Sequence, residues 1–171
     1  IISTLELDKI VDILQALPEK KTENILSAMS QRDRQRIKEV LEYPEDSAGG
    51  LMNTDIISVR PKHNLEVVMR YLRAQRELPK NTDQIFVVSR ENTYLGSLPV
   101  SSILVSDPSL NVRELMETEI QPLEASLDDK DVSRLFEQND WVSAPVVDDK
   151  SKLIGRITID DVVDVIMEDA D

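Results

Sequence analysis

The chain has 171 residues, 40% hydrophobic and 31% charged, enough apolar sequence for one ordinary domain or two small ones and too much for a disordered chain. Its 20 basic and 33 acidic residues leave a net charge of −13, which argues against nucleic acid or an anionic membrane surface as partner, because both need clustered lysine and arginine. With no cysteine there is no disulfide framework or thiolate metal site, and no stretch approaches the roughly 20 apolar residues of a membrane-spanning helix, so a reducing cytoplasm fits.

Residues 4–42 read as helical. Thr4 is a candidate cap, and Leu7, Ile10, Val11, Leu14 and Leu17 follow the 3.6-residue period until Pro18 breaks it. Two further short amphipathic helices are expected at about 20–29 and 31–42, the latter entered at Ser30. Together these helices bury little apolar surface, so they are expected to be part of a larger helical domain. The next segment, "YPEDSAGGLM" at 43–52, reads as a hinge carrying negative charge: Pro44 ends the preceding helix, and Gly49 and Gly50 permit backbone angles closed to other residues.

Beyond the hinge, β and α patterns alternate and do so twice. "LMNTDIISVRPKHNLEVVMRYL" from Leu51 is matched by "LMETEIQPLEASLDDKDVSRLF" from Leu115, and "QIFVVSRENTYLGSLPVSSIL" from Gln84 by "VSAPVVDDKSKLIGRITIDDVV" from Val142. The repeat is a β-α-β-β-α unit of about 60 residues, with a longer loop, "RAQRELPKNTD", in the first copy. The chain begins without methionine and stops within a helical pattern, so it reads as a piece of a longer protein.

Several acids stand out by position. Asp8 and Asp12 lie one helical turn apart; on spacing alone they are an ordinary helix surface. Asp161, Asp164 and Glu168, spaced i, i+3 and i+7, share one face of the last helix, with Asp169 beside them. Asp128 is either a ligand or a helix cap, and Asp140 either a ligand or a turn residue. An inventory of carboxylates with one histidine, His63 in a polar loop, suits a hard cation rather than zinc or copper. No phosphate-cradling glycine loop or partnered nucleophile appears, so no enzyme is expected.

The doubled unit, and the motif of glycine, two residues, Ser or Thr, two residues and Asp at "GRITIDD" (155–161), with Arg156 at one of the two positions that are hydrophobic in the motif, resemble a tandem pair of CBS domains. With the upstream helices, the 43–52 junction and the "TIDDVVDVI" ending, the whole chain resembles the cytosolic part of MgtE-type bacterial magnesium transporters. The resemblance implies an α+β fold: residues 1–42 as the end of a helical N domain, 43–52 the hinge, 53–112 and 113–163 the two CBS domains, and 164–171 the start of a connecting helix into a membrane pore. It also implies a homodimer through the CBS domains, on the cytoplasmic face of the bacterial inner membrane. The implied activity is Mg2+ sensing that gates a transporter, with Asp8, Asp12, Asp128, Asp140, Asp161, Asp164, Glu168 and Asp169 as metal ligands. In such families a nucleotide can sit between the repeats; Gln84, Ser102 and Trp141 are the candidate contacts, and ATP the second candidate ligand. Ser102 occupies the motif position that Asp161 fills in the second copy, without the charge. The alternatives are a CBS module sensing adenine nucleotides for another attached protein, and a purely structural dimerisation module.

Overall fold

The structure, a computed structural model, describes residues 43–170, with side chains described through Glu168. The three helices expected before residue 43 lie outside the described residues. A short α1 (Ala48–Leu51) precedes a first repeat of β1 (Ser58–Val59), α2 (Leu65–Ala74), β2 (Gln84–Val88), β3 (Tyr94–Pro99) and α3 (Val100–Val105). An equally short α4 (Val112–Leu115) precedes a second repeat of β4 (Leu123–Glu124), α5 (Asp129–Asn139), β5 (Ser143–Val147), β6 (Leu153–Thr158) and α6 (Ile159–Ala170). The fold is α+β, and the doubled order expected from sequence is present.

Each repeat builds one three-stranded sheet, ordered β1-β2-β3 and β4-β5-β6, with the first pair parallel and the second antiparallel. Local chemistry explains the elements. Asn64 and Asp128 cap α2 and α5, accepting from the backbone N–H of Val67 at 2.9 Å and of Lys130 at 2.9 Å. Asn92 and Ser151 turn the two hairpins with φ of 67° and 63°, left-handed angles that such short polar residues tolerate. The central strands "QIFVV" and "SAPVV" are buried almost throughout, as expected of runs covered on both faces. Pro145 is tolerated inside β5 because its partner Arg156 turns both backbone hydrogen bonds away, to Asn53 on the outer edge, and pairing with β4 starts only at Val146.

The two short helices exchange places. α1, which comes before the first repeat, docks on the second: Ala48 N–H donates to Leu127 O at 2.7 Å and Gly49 N–H to Ala125 O at 2.9 Å. α4, which comes before the second repeat, docks on the first in the same manner, through Val112 N–H to His63 O at 2.9 Å and Arg113 N–H to Pro61 O at 3.0 Å. Downstream of each helix the chain crosses the outer strand, Asn53 bridging Arg156 and Glu117 bridging Ser97. A glycine marks each crossing. A Cβ on Gly155 would lie 2.6 Å from Met52 Sδ and 2.8 Å from Asn53 O, and one on Gly96 would lie 2.5 Å from Glu117 O.

This exchange revises the reading of the 43–52 segment. Ala48 and Met52 are buried in the second repeat's core with Leu123, Val132, Phe136 and Ile157. Gly49 and Gly50 do not use left-handed angles; they are glycine because a Cβ would strike the Tyr43 ring at 2.3 Å and Pro44 O at 2.1 Å. From Ser47 onward the chain is anchored, so any bending belongs before it. The first repeat has its own core around Ile85, Val87, Leu98, Leu65 and Val112, and Phe86, Val88 and Leu153 join the two repeats.

Candidate functional site

The candidate acids fall in three places. Asp128 stands exposed at the first turn of α5, its Oδ1 accepting from Lys130 N–H. Asp140 stands exposed at the opposite end of the same helix, as a C-cap in left-handed conformation with φ 52°. An 11-residue helix separates them, roughly 16 Å at 1.5 Å per residue, so within one chain the two do not share an ion. Both are among the ligands that the resemblance implies, but α5 keeps them apart within one chain.

Asp161, Asp164 and Glu168 are divided in another way. Asp164 and Glu168 are exposed along α6. Asp161 is only half-exposed, and its Oδ2 accepts from Thr158 N–H at 2.8 Å and from Thr158 Oγ1 at 3.1 Å, closing the first turn of α6. Burial pushes the Asp161 carboxyl above the ordinary value of 3.8, opposed by the Thr158 hydrogen bonds and by Arg156. Its oxygen is committed locally, which a spacing argument does not register. Asp8 and Asp12 lie outside the described residues, as does the Asp169 side chain. Among the described residues, no group of three His, Asp or Glu side chains is placed to hold a metal ion by itself.

One acidic contact went unnoticed in sequence. The Asp129 N–H donates to Asp46 O at 2.9 Å, which brings the charged end of the 43–46 segment against the start of α5. The Asp129 carboxyl is pushed above 3.8, first by desolvation and then by the negative charges of Asp128 and Asp46. "PED" and "DD" were both visible as local acid pairs. Their meeting depends on the docking of α1 across 80 residues of chain, which no local pattern encodes.

The nucleotide candidates lie on different elements. Gln84 Nε2 donates to Ser143 O at 3.1 Å and Ser143 Oγ at 3.2 Å, tying the two central strands together. Ser102 sits half-buried in α3. Trp141, packed edge-on against Phe136 with ring centroids 5.5 Å apart, lines a cavity of about 840 Å³ with Pro122, Leu127 and Leu135. That volume lies within the range of small-molecule pockets. Two carboxylates, Glu119 and Glu124, and no basic side chain, share the lining.

Comparison with known proteins agrees with this architecture. The profile of the MgtE intracellular N domain matches residues 1–46, and that of the CBS domain matches residues 48–107 and 112–168. The "Magnesium transporter MgtE" of Thermus thermophilus is 31% identical over 167 residues, covering 96% of this chain and 37% of that protein. The chain therefore spans little more than a third of that relative. Among solved structures, "the soluble part of a magnesium transporter" superposes with a TM-score of 0.88 at 27% identity, over 96% of this chain and 64% of that one. "The cytosolic domain of the Mg2+ channel MgtE in complex with ATP" superposes with a TM-score of 0.85 at 31% identity, over 93% and 65%.

Proposed function

The chain belongs to the MgtE type of CBS-domain protein, an MgtE N domain followed by two CBS domains, and from that membership we propose that it is a Mg2+-sensing cytosolic module that gates a magnesium transporter. The observation that carries the reading is the meeting of Asp46, Asp128 and Asp129 where the N-terminal segment reaches the second repeat. Like charges held together there resist closure of the N domain, and a hard divalent cation relieves that repulsion with oxygen ligands alone. Because the described residues form no self-sufficient site, ions would bridge facing surfaces: Asp8 and Asp12 of the N domain, Asp128 or Asp140 of the second repeat, and Asp164, Glu168 and Asp169 of α6. Such bridging supplies the differential affinity for a closed state that a switch requires.

The proposed pivot lies at the start of the segment, at or just before residues 43–45, since Asp46 is already hydrogen-bonded to Asp129 and the chain is docked from there onward. Closure would shut the pore attached beyond α6, in a dimer whose second copy covers exposed apolar residues such as Leu104, Val105 and Met167. No chemical step is assigned to the domain. Among the described residues no helix is long and apolar enough to cross a membrane.

The cavity beside Trp141 favours a second reading, in which an adenine nucleotide adjusts the same switch. Lacking a basic lining, the cavity suits the base and ribose, with phosphates reaching solvent or a bound cation. Parallel calorimetry with Mg2+ and with ATP, joined to proteolysis of residues 43–45 across a Mg2+ titration, tests both. Protection that develops with Mg2+, and that Asp129→Asn shifts several-fold in midpoint, is expected. Cleavage indifferent to Mg2+ overturns the sensing reading, and heat with ATP alone moves the assignment to the nucleotide.

A further inference from the structure

The chain is strongly acidic, yet one end of the first repeat's sheet is basic. The parallel register Ser58↔Phe86 and Val59↔Val87 makes β1 and β2 leave the sheet side by side. β1 runs directly into Arg60, Pro61 and Lys62, and β2 into Ser89 and Arg90. α4 adds Arg113, fixed over the same spot by its backbone N–H to Pro61 O at 3.0 Å. Arg60, Lys62, Arg90 and Arg113 together line a hollow of about 160 Å³, and an adjoining hollow of about 300 Å³ adds His63. His63 Nδ1 accepts from Arg60 N–H at 3.4 Å.

These cations are not spent on neighbouring acids. The ion pairs among the described residues are Arg70–Glu66 and Arg134–Asp131, neither of which touches the hollow. Glu114, next to Arg113, turns its carboxylate to the Asn111 N–H at 2.8 Å. Asp148, across the hairpin contact, accepts from Lys150 and Lys152 N–H at 2.9 Å each.

The sister repeat shows that the fold does not ask for this charge. Registers Val59↔Val87 and Leu123↔Val146 make Glu124 the counterpart of Arg60. The pairs Val88↔Tyr94 and Val147↔Leu153 make Asp149 the counterpart of Arg90. Gly49, donating to Ala125 O as Arg113 donates to Pro61 O, is the counterpart of Arg113. The same backbone thus carries Arg, Arg, Arg in one copy and Glu, Asp, Gly in the other.

We infer that Arg60, Arg90 and Arg113 receive a phosphate group. Three guanidinium forks around a hollow of phosphate size match the fixed donor geometry that such oxygens accept, and Lys62 adds charge at the rim. The site lies at the opposite end of β2 from Gln84 and is separate from the cavity beside Trp141 and from the acidic surfaces. It does not depend on the Mg2+ reading. The phosphate belongs either to a soluble phosphomonoester or to a lipid headgroup.

The test titrates the 171-residue chain at constant ionic strength with inorganic phosphate, with glycerol phosphate, and with vesicles of phosphatidylglycerol or of phosphatidylcholine, following the backbone amides of Arg60, Arg90 and Arg113 by NMR. Saturable shifts with the soluble phosphates, weakened at least tenfold in Arg60→Glu/Arg90→Asp/Arg113→Gly, identify a soluble ligand. Response to phosphatidylglycerol but not phosphatidylcholine vesicles, lost in the same variant, identifies a headgroup. If the triple variant does not fold, Arg90→Gln at its exposed turn is read alone and should weaken binding several-fold. No response to any probe, or a response that the substitutions leave unchanged, overturns the assignment.

Discussion

The two repeats share a backbone plan down to their bridges, turns and crossing glycines, and they differ at the same few positions. Ser97 and Arg156 occupy equivalent places opposite Phe86 and Pro145. Pro99 and Thr158 end equivalent strands, and Ser102 and Asp161 follow three residues later in equivalent helices. What is shared is what the fold needs. What differs is where one copy has acquired work that the other does not do, and each difference suggests a substitution that sharpens the contrast.

The largest expected effect is at Arg156. Its side chain is buried at 5% exposure, and its guanidinium donates to Lys80 O at 2.6 Å and to Asn81 O at 3.1 Å. Those carbonyls belong to the loop that is longer in the first copy, so the extra length has a purpose: it reaches across to the second sheet. Ser97 makes no such reach, and its buried hydroxyl faces only the Tyr94 hydroxyl. Arg156→Met keeps volume but strands the loop carbonyls and removes the positive charge facing Asp55, Asp161 and Asp83. A loss of about 3 kcal/mol is expected, since truncating one member of a buried charged network is costly. Urea denaturation measures it, and Ser97→Ala should by contrast cost little or nothing.

The crossing glycines come next. Gly96→Ala sets a Cβ 2.5 Å from Glu117 O, a backbone atom, whereas Gly155→Ala meets Met52 Sδ at 2.6 Å, which a flexible side chain relieves, and Asn53 O at 2.8 Å. Both substitutions force the exchanged segment off its strand. Overpacking of this kind costs about 1–3 kcal/mol, with Gly96→Ala expected at the upper end. Denaturation midpoints equal to the parent chain's in both variants would break the reading of these glycines as clearance for the crossing segments.

How much of this was legible beforehand follows from the range of each interaction. The doubled unit, the strands "QIFVV" and "SAPVV" and the cap at Asp128 are encoded within a few residues, and a reader of the sequence finds them. The exchange of α1 and α4 is encoded by nothing local. Gly49 and Gly50 look like freedom when read alone and turn out to be clearance for Tyr43 and Pro44. Arg60, Arg90 and Arg113 are scattered along the chain and converge only through a parallel register and one backbone hydrogen bond. Helical periodicity did place Asp161 on the stripe of Asp164 and Glu168. It could not show that Thr158, one residue before the helix, would claim the Asp161 oxygen.

That claim leads to the smallest and most discriminating effect. Asp161 stabilises α6 because Thr158 offers both an N–H and a hydroxyl to its carboxylate. Asp161→Ser should therefore cost about 1 kcal/mol, the usual range for a lost cap. Ser102→Asp installs the same residue at the equivalent place in α3, but the residue facing it is Pro99, which has no N–H and no hydroxyl, and α3 has no side-chain cap. No gain beyond about 0.5 kcal/mol is expected there, the scale of an ordinary surface substitution. Acidity adds a second readout. With its folded-state pKa raised above 3.8, Asp161 binds its proton more tightly in the native chain, so the burial penalty is full above the raised value and fades as pH falls toward 3.8. Urea midpoints from neutral pH to below 4 should therefore show the cost of Asp161→Ser growing on acidification, as the parent chain loses its penalty while the variant has none to lose. A cost independent of pH, or a Ser102→Asp gain equal to the Asp161→Ser loss, would show that the carboxylate acts through general helix electrostatics rather than through its bonds to Thr158.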